Sequence, residues 1–417
     1  MARFDAQHPL PLPREAGQPA QPCDGCREVR TKMKTLLGYT NTGHPIYPII
    51  GSDGYHTAGD VVRQTKDGRP LEELWREFNL TIDLVNEERN AIANLLSFPT
   101  TLSADNIAQS TDDPGFALAS EYGEPTGARP EFLHLKVGFT FRDYDRGARY
   151  TWRYLRDAHA AQVEQTHRSI LTADFKNVSS SVLARLLNPV QTENEDGVPC
   201  YGLYNGDVMV PPRYQFRTFD GPHSHYLTTQ APVASGADLD DMAKHITEHG
   251  YAVGPGRRLL LFVHPDDLAP LAAARVGDED GSAFDFIASG GAPAYLTTES
   301  LVGERPPAVD ENGLEIAGSY GRVWICPTEF MPPGYLLMSA SDGAGGLLNP
   351  VGLRQHTDPA WHGLKLIPGN QQGYPLVDAY YARAFGVGVR HRGAAVAMQI
   401  TTNTDYTPPE AFAGVFL

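Results

Sequence analysis

Residues 152–188 read WRYLRDAHAAQVEQTHRSILTADFKNVSSSVLARLLN, with no glycine or proline until Pro189. Val163, Ile170, Leu171, Phe175, Val178, Val182, Leu186 and Leu187 mark one stripe along this run. At 1.5 Å per residue the spacing predicts a helix of about 50 Å. The mean globular helix has roughly 11–12 residues, about a third of that. The stripe is also too sparse for coiled-coil heptads. Such a helix is too long for a compact domain and needs other chain segments along its length.

The flanking sequence has the same extended character. Upstream, Leu133-His134-Leu135-Lys136-Val137-Gly138-Phe139-Thr140-Phe141-Arg142 alternates apolar with polar or small residues, the period of a strand with one covered face. Phe116–Tyr122 is its expected partner, joined through the turn-rich segment 123–130. An isolated two-stranded ribbon is marginal in water, so it too must lie on something. Further upstream, Leu71, Leu74, Trp75, Phe78, Ile82, Val85, Ile92, Leu95 and Leu96 follow three-and-four spacing. They predict one amphipathic helix over 71–96, opened by Pro70 and closed at Pro99. Residues 1–70 show no periodicity and read as an extended arm.

Downstream of about residue 232 the texture becomes compact α/β. Asp238–His249 reads as a helix with Leu239, Met242 and Ile246 inward, and Arg257–His264 as a buried strand. Pro265-Asp266-Asp267 opens another helix, and strands are expected at 321–326, 335–339 and within 379–401.

Composition narrows the function. The 417 residues carry 34 Lys plus Arg against 50 Asp plus Glu, a net charge of −16. General attraction to nucleic-acid phosphates needs clustered basic residues, so nucleic-acid binding by charge is disfavoured. Leu259–Val263 is far shorter than the ~20 apolar residues that span a bilayer, and no membrane partner is expected. Met1–His8 lacks the apolar core of a secretory signal. Cysteines at 23, 26, 200 and 326 form no disulfide framework, and the chain reads as soluble and cytosolic.

The chemistry motifs are weak. His245-Ile246-Thr247-Glu248-His249 matches H-x-x-E-H, in which two histidines one turn apart bind zinc and the glutamate activates water. The simpler reading, histidines on the flank of an amphipathic helix with His245 towards solvent, is preferred in a chain with 14 histidines. Cys23-Asp24-Gly25-Cys26 lacks a second pair, and His223-Ser224-His225 reads as a loop. Gly343-Ala344-Gly345-Gly346 lacks the strand-to-helix context of a dinucleotide site. There is no P-loop and no G-x-S-x-G elbow. No catalytic, cofactor-binding or metal residue is assigned, no cofactor is expected, and no enzyme activity is expected.

The order arm, extended β loop, long helix, compact α/β unit and closing strand resembles the major capsid proteins of tailed bacteriophages, of the Hong Kong 97 type. Leu239–Asp267 and the ending Tyr380–Arg390 followed by Gly393–Ile400 carry the same texture. The resemblance implies an α+β fold with residues 1–111 as N-terminal arm and 112–150 as extended loop. It implies a peripheral domain of 151–225 and 376–417, with a spine helix over 152–188, and an axial domain of 226–375. It further implies a structural protein that self-assembles as hexamers and pentamers into an icosahedral virion shell, formed in the bacterial host cytoplasm. Packaged double-stranded DNA would be held without sequence-specific contact, which suits an acidic chain. Scaffold, portal and decoration proteins are the further partners such a shell implies. Lys136 is the only lysine of the ribbon, with no asparagine partner or acidic catalyst assigned for a cross-link, and removal of an N-terminal scaffold is not expected. Two alternatives stand beside this reading: an encapsulin-type bacterial compartment of the same fold, and a cytosolic zinc hydrolase using His245, Glu248 and His249. If 112–150 reaches over a neighbouring subunit, deleting 116–145 leaves soluble capsomers or misfolded protein, and electron microscopy finds no closed shells.

Overall fold

The computed structural model describes residues 38–39, 45–46, 64–88, 90–108, 118–119, 121–123, 134–207, 209–212, 214, 217, 219, 222–254, 257–279, 281–290, 305–310, 313–369 and 376–412. After the short pair β1 (Gly38–Tyr39) and β2 (Pro45–Ile46), helix α1 runs Leu71–Glu88 and α2 Ala91–Leu96. The single helix expected over 71–96 is therefore broken. Asn90 is extended, and its side chain accepts hydrogen bonds from the amides of Ile92 and Ala93, which caps a new helix. Leu71, Leu74, Trp75, Phe78 and Ile82 form the buried stripe of α1.

β3 (Ser97–Thr100) and β4 (Ala104–Ala108) follow, then β5 (His134–Gly138) and β6 (Arg142–Thr151). β5 pairs antiparallel with β4, Asp105 opposite Val137, so its partner is not the expected 116–122. Within that expected strand, Leu118–Ala119 and Glu121–Tyr122 are not in strand, and the remainder lies outside the described residues.

The expected spine also divides, into α3 (Trp152–Asp157) and α4 (Ala160–Leu187). Ala158 and His159 are extended. The Gln162 side chain accepts the His159 amide, the Asp67 carboxylate accepts the Ala160 amide, and the Lys66 amide donates to the Ala158 carbonyl. A clamp from residues 66–67 thus breaks a run that local propensity would continue. Helix α4 alone spans about 42 Å.

The remaining strands are β7 (Thr192–Glu193), β8 (Pro199–Cys200), β9 (Tyr226–Thr228), β10 (Arg258–Val263), β11 (Phe286–Ala288), β12 (Gly318–Tyr320), β13 (Val323–Pro327), β14 (Tyr335–Ser341), β15 (Val351–Arg354), β16 (Lys365–Pro368), β17 (Leu376–Val389) and β18 (Ala395–Gln399). Helices α5 (Gly236–Glu248) and α6 (Leu268–Ala272) lie among them. A seven-stranded sheet has the order β11-β12-β13-β10-β14-β18-β9. A second sheet runs β16-β17-β15-β3, with β6 also on β17. β18 therefore joins the seven-stranded sheet, not the unit expected to hold 376–417. Likewise β15 and β16 leave the 226–375 unit to pair with β17. Pairing follows which backbone edges meet in space, which chain order does not disclose.

The seven-stranded sheet separates two cores. Leu259, Leu261 and Val263 face α5 through Leu239, Met242 and Ile246. Leu260 and Phe262 face Val178, Val182, Leu186 and Leu187 of α4, together with Phe385, Val387 and Val389 of β17. A third core packs the α1 stripe against Val163 and Ile170 of α4 and Val377, Ala379 and Tyr381 of β17. His167 is buried there, stacked on Phe78 with ring centroids 4.1 Å apart and 2.8 Å from the Tyr381 hydroxyl.

Where the chain passes from β5 to β6 it crosses β17 at close range. Thr140 exchanges hydrogen bonds with the Val387 backbone. A Cβ on Gly386 would lie 1.6 Å from the Thr140 carbonyl oxygen, and one on Gly388 2.5 Å from the Gly138 oxygen. Val137 and Phe139 are fully buried at this crossing, so the 116–145 deletion also removes core residues. Gly386→Ala should open the crossing, leaving the variant mostly insoluble or with a sharply lowered melting temperature by differential scanning fluorimetry. Near-wild-type melting would show that the crossing can give way.

Candidate functional site

Helix α5 begins at Ser235, whose hydroxyl accepts the Asp238 amide while the Asp238 carboxylate accepts the Ser235 amide. With Leu239, Met242 and Ile246 buried, the H-x-x-E-H residues fall on the flank and the C-terminal end. They do not converge. His245 donates from Nδ1 to the Asp241 carbonyl at 2.9 Å, and its side chain is 18 % exposed, less solvated than the helical pattern predicted. Burial works against its charged form, but hydrogen bonds to Asp241 outweigh this and raise its pKa. Glu248 pairs with Arg217 at 2.5 Å. His249 caps the helix end and turns to His223 and His225, residues the sequence assigned to an unrelated loop. Burial first, then neighbouring histidines, push the His249 pKa down to about 3, and burial holds that of His225 well below the ordinary imidazole value. The zinc-hydrolase arrangement of His245, Glu248 and His249 is thus not assembled.

The other candidates separate. Cys23 and Cys26 lie outside the described residues. Cys200 and Cys326 are buried free thiols, and burial pushes the Cys200 pKa up to about 11, away from the thiolate a metal needs. Lys136 is exposed on β5 opposite Asn106. The glycines at 343–346 form a turn held by the buried Asn349 side chain, which reaches the carbonyls of Asn94, Ser97 and Gly343 at 2.9–3.1 Å. The Gly345 amide donates to the Asn94 carbonyl and the Gly346 amide to that of Gly343, so neither is free to cradle a phosphate.

Leu80 and Leu84, adjacent on the outer face of α1, are each 58 % exposed. Among the described residues β6 pairs only with β17, so its other edge is open. Arg142, Asp143, Asp145, Arg146 and Arg149 stud that strand, and charged side chains oppose indiscriminate edge pairing. Loop 201–209 is fixed from within by Arg392, which is 4 % exposed. Its guanidinium meets both Asp207 carboxylate oxygens at 2.6 Å and donates to the carbonyls of Gly202, Leu203 and Met209.

Two sheets thus hang on a long strand and a long helix, with apolar side chains and, among the described residues, one strand edge facing outward. The chain is similar to a solved structure from Mycobacterium phage Patience, with 36 % identity over 86 % of this chain and 96 % of that one and a TM-score of 0.64. It belongs to the major capsid proteins of bacteriophages. Fainter likenesses include the holo-SrpI encapsulin complex of Synechococcus elongatus PCC 7942, at 12 % identity over 76 % of this chain and 89 % of that one with a TM-score of 0.41. The mature capsid of bacteriophage PhiM1 matches at 10 % identity over 75 % and 88 %, with a TM-score of 0.42. No protein-family model and no curated protein matches the chain.

Leaving a buried acceptor without its donor costs about 1–3 kcal/mol. Arg392→Met, which strands Asp207 and three carbonyls, should therefore lower the melting temperature strongly and expose loop 201–209 to limited proteolysis. Unchanged cleavage there would show that the loop is held by other contacts.

Proposed function

We propose that this protein is the structural subunit of a virion shell, self-assembling as hexamers and pentamers into an icosahedral capsid around packaged double-stranded DNA. The observation that carries this reading is the 36 % identity to a chain from Mycobacterium phage Patience, 96 % of which is covered. In this reading α4 with the β16-β17-β15-β3 sheet is the peripheral unit, and the seven-stranded sheet with α5 and α6 is the axial unit. Leu80 and Leu84 of α1 and the charged edge of β6 are the surfaces neighbouring subunits cover. Hydrophobic burial there supplies association energy, at about 25 cal/mol per Å² of apolar area. The charged edge selects a complementary partner strand in place of any strand.

The net charge of −16 gives the shell's relation to its contents a physical form. An acidic wall does not bind phosphate by counterion release, so DNA is confined without adhering. The reading places the protein in the virion after assembly in the host cytoplasm, with scaffold, portal and decoration proteins as further partners.

Light scattering combined with electron microscopy of the purified full chain tests this. Closed icosahedral particles or six-membered rings are expected. A monodisperse species at the 45.5 kDa monomer mass, even at high protein concentration and with the scaffold protein added, would overturn the proposal.

A further inference from the structure

Three histidines from two distant segments meet in the interior. His223 and His225 precede and begin the entry into β9, and His249 ends α5. Their Nε2 atoms form a closed triangle with sides of 3.2 Å (His223–His225), 3.0 Å (His223–His249) and 2.8 Å (His225–His249). His225 is wholly buried and His249 is 8 % exposed.

Hydrogen bonding alone cannot satisfy this triangle. An imidazole nitrogen presents a single in-plane site, either an N–H or a lone pair. Each vertex is therefore a donor or an acceptor, and an odd ring cannot alternate the two. At least one side must set lone pair against lone pair or N–H against N–H at about 3 Å. One of the three tautomers is also fixed. His225 Nδ1 lies 2.7 Å from the Ala395 carbonyl, which only accepts, so Nδ1 carries the hydrogen. The neutral ring then aims its Nε2 lone pair into the triangle.

A metal cation resolves the conflict by accepting all three lone pairs at once. Zinc–nitrogen bonds of ~2.0–2.1 Å in a tetrahedral shell put ligand nitrogens about 3.3 Å apart, a few tenths of an ångström beyond the sides found. The hydrogen bond from His225 to a backbone carbonyl is the outer-shell support that ligating histidines usually have. The rings are held in advance. Phe219 stacks on His249 with centroids 3.7 Å apart, and a Cβ on Gly393 would lie 2.6 Å from the His249 ring. The backbone of His225 is pinned on both sides, its amide to Tyr204 O at 2.7 Å and its carbonyl to Ala397 N at 2.9 Å.

We propose that His223, His225 and His249 bind one divalent transition-metal ion per chain through their Nε2 atoms, with Zn²⁺ the favoured ion. Three neutral imidazoles suit borderline cations such as zinc rather than Mg²⁺ or Ca²⁺, which take oxygen ligands. Among the described residues no fourth His, Cys, Asp or Glu joins the group, so water completes the shell. Glu248 is held by Arg217 and His245 by Asp241, so neither serves as the base of a hydrolase there. The ion's role is structural. It ties the segment entering β9 to the end of α5 and, through His225, to β18.

The test uses the full-length chain, stripped with EDTA and re-equilibrated with Zn²⁺ or Co²⁺. Bound metal is counted by mass spectrometry after gel filtration, and Co²⁺ geometry is read from its visible absorption. One equivalent of Zn²⁺ and the intense bands of tetrahedral Co²⁺ are expected, with a higher melting temperature in Zn²⁺ than in EDTA. His223→Ala and His249→Ala should each bind at least tenfold more weakly, while His245→Ala retains one equivalent. Circular dichroism establishes that the variants are folded; if they are not, the wild-type stoichiometry, cobalt spectrum and melting shift decide. Folded wild-type protein that takes up neither metal would overturn the proposal. So would binding that persists in both His223→Ala and His249→Ala, or binding lost in His245→Ala. These results are independent of whether the chain assembles into shells.

Discussion

Strand β17 is the constraint on which the rest of the structure depends. Its fourteen residues pair with β6 over 376–385, with β16 over 379–382 and with β15 over 386–389. The same strand supplies Val377, Ala379 and Tyr381 to one core and Phe385, Val387 and Val389 to another. Two cores therefore share one backbone and cannot shift independently. Gly386 and Gly388 make this possible, because only glycine lets the 138–141 segment cross so close to the strand.

Helix α4 runs across the same two cores. Its first half packs with α1 and β17, and its second half closes on the seven-stranded sheet. At its C-terminal end Arg185 is fully buried, donating to the carbonyls of Asn188 and Val190 at 2.7–2.8 Å. A cation at the negative end of a helix dipole is favourable, and here it also satisfies carbonyls of the segment that follows the helix. Arg392 does comparable work on loop 201–209, which in turn receives the His225 amide through Tyr204. The junction between the sheets is thus fixed by buried cations aimed at backbone oxygens. Such contacts are directional, and a subunit that must present the same surfaces in every copy of a shell needs directional contacts as well as apolar burial.

The histidine triangle belongs to this junction. It sits where the end of α5, the approach to β9 and β18 meet; residues 229–235 join β9 to α5, and β9 pairs with β18. Metal ligation there would hold the end of α5 against the paired strands β9 and β18, and it would act on the compact unit rather than on the outward-facing surfaces of α1 and β6.

Several elements were legible in the sequence because their causes are local. The α1 stripe of Leu71, Leu74, Trp75, Phe78 and Ile82, the buried run Leu259–Val263 and the α5 stripe followed from periodicity, and the order of elements carried the family resemblance. Periodicity could not show the breaks at Asn90 and at Ala158–His159. The first turns on a side-chain cap, the second on Lys66 and Asp67 reaching in from a distant segment. Nor could it show that β5 pairs with 104–108, or that β18 leaves β17 for the other sheet, since edges are matched in three dimensions. The histidines are the sharpest instance. H-x-x-E-H and H-x-H were both visible, but each was read with its sequence neighbours. Only the fold joins one histidine of the first motif to both of the second, because ligand geometry is set by the distance between side chains, not between positions. The sequence by itself determined the helical and strand periods, the acidic charge and the extended character of the chain. The tertiary structure alone decided which edges pair, where the long helix breaks and which buried nitrogens converge, because each depends on contacts between residues far apart along the chain.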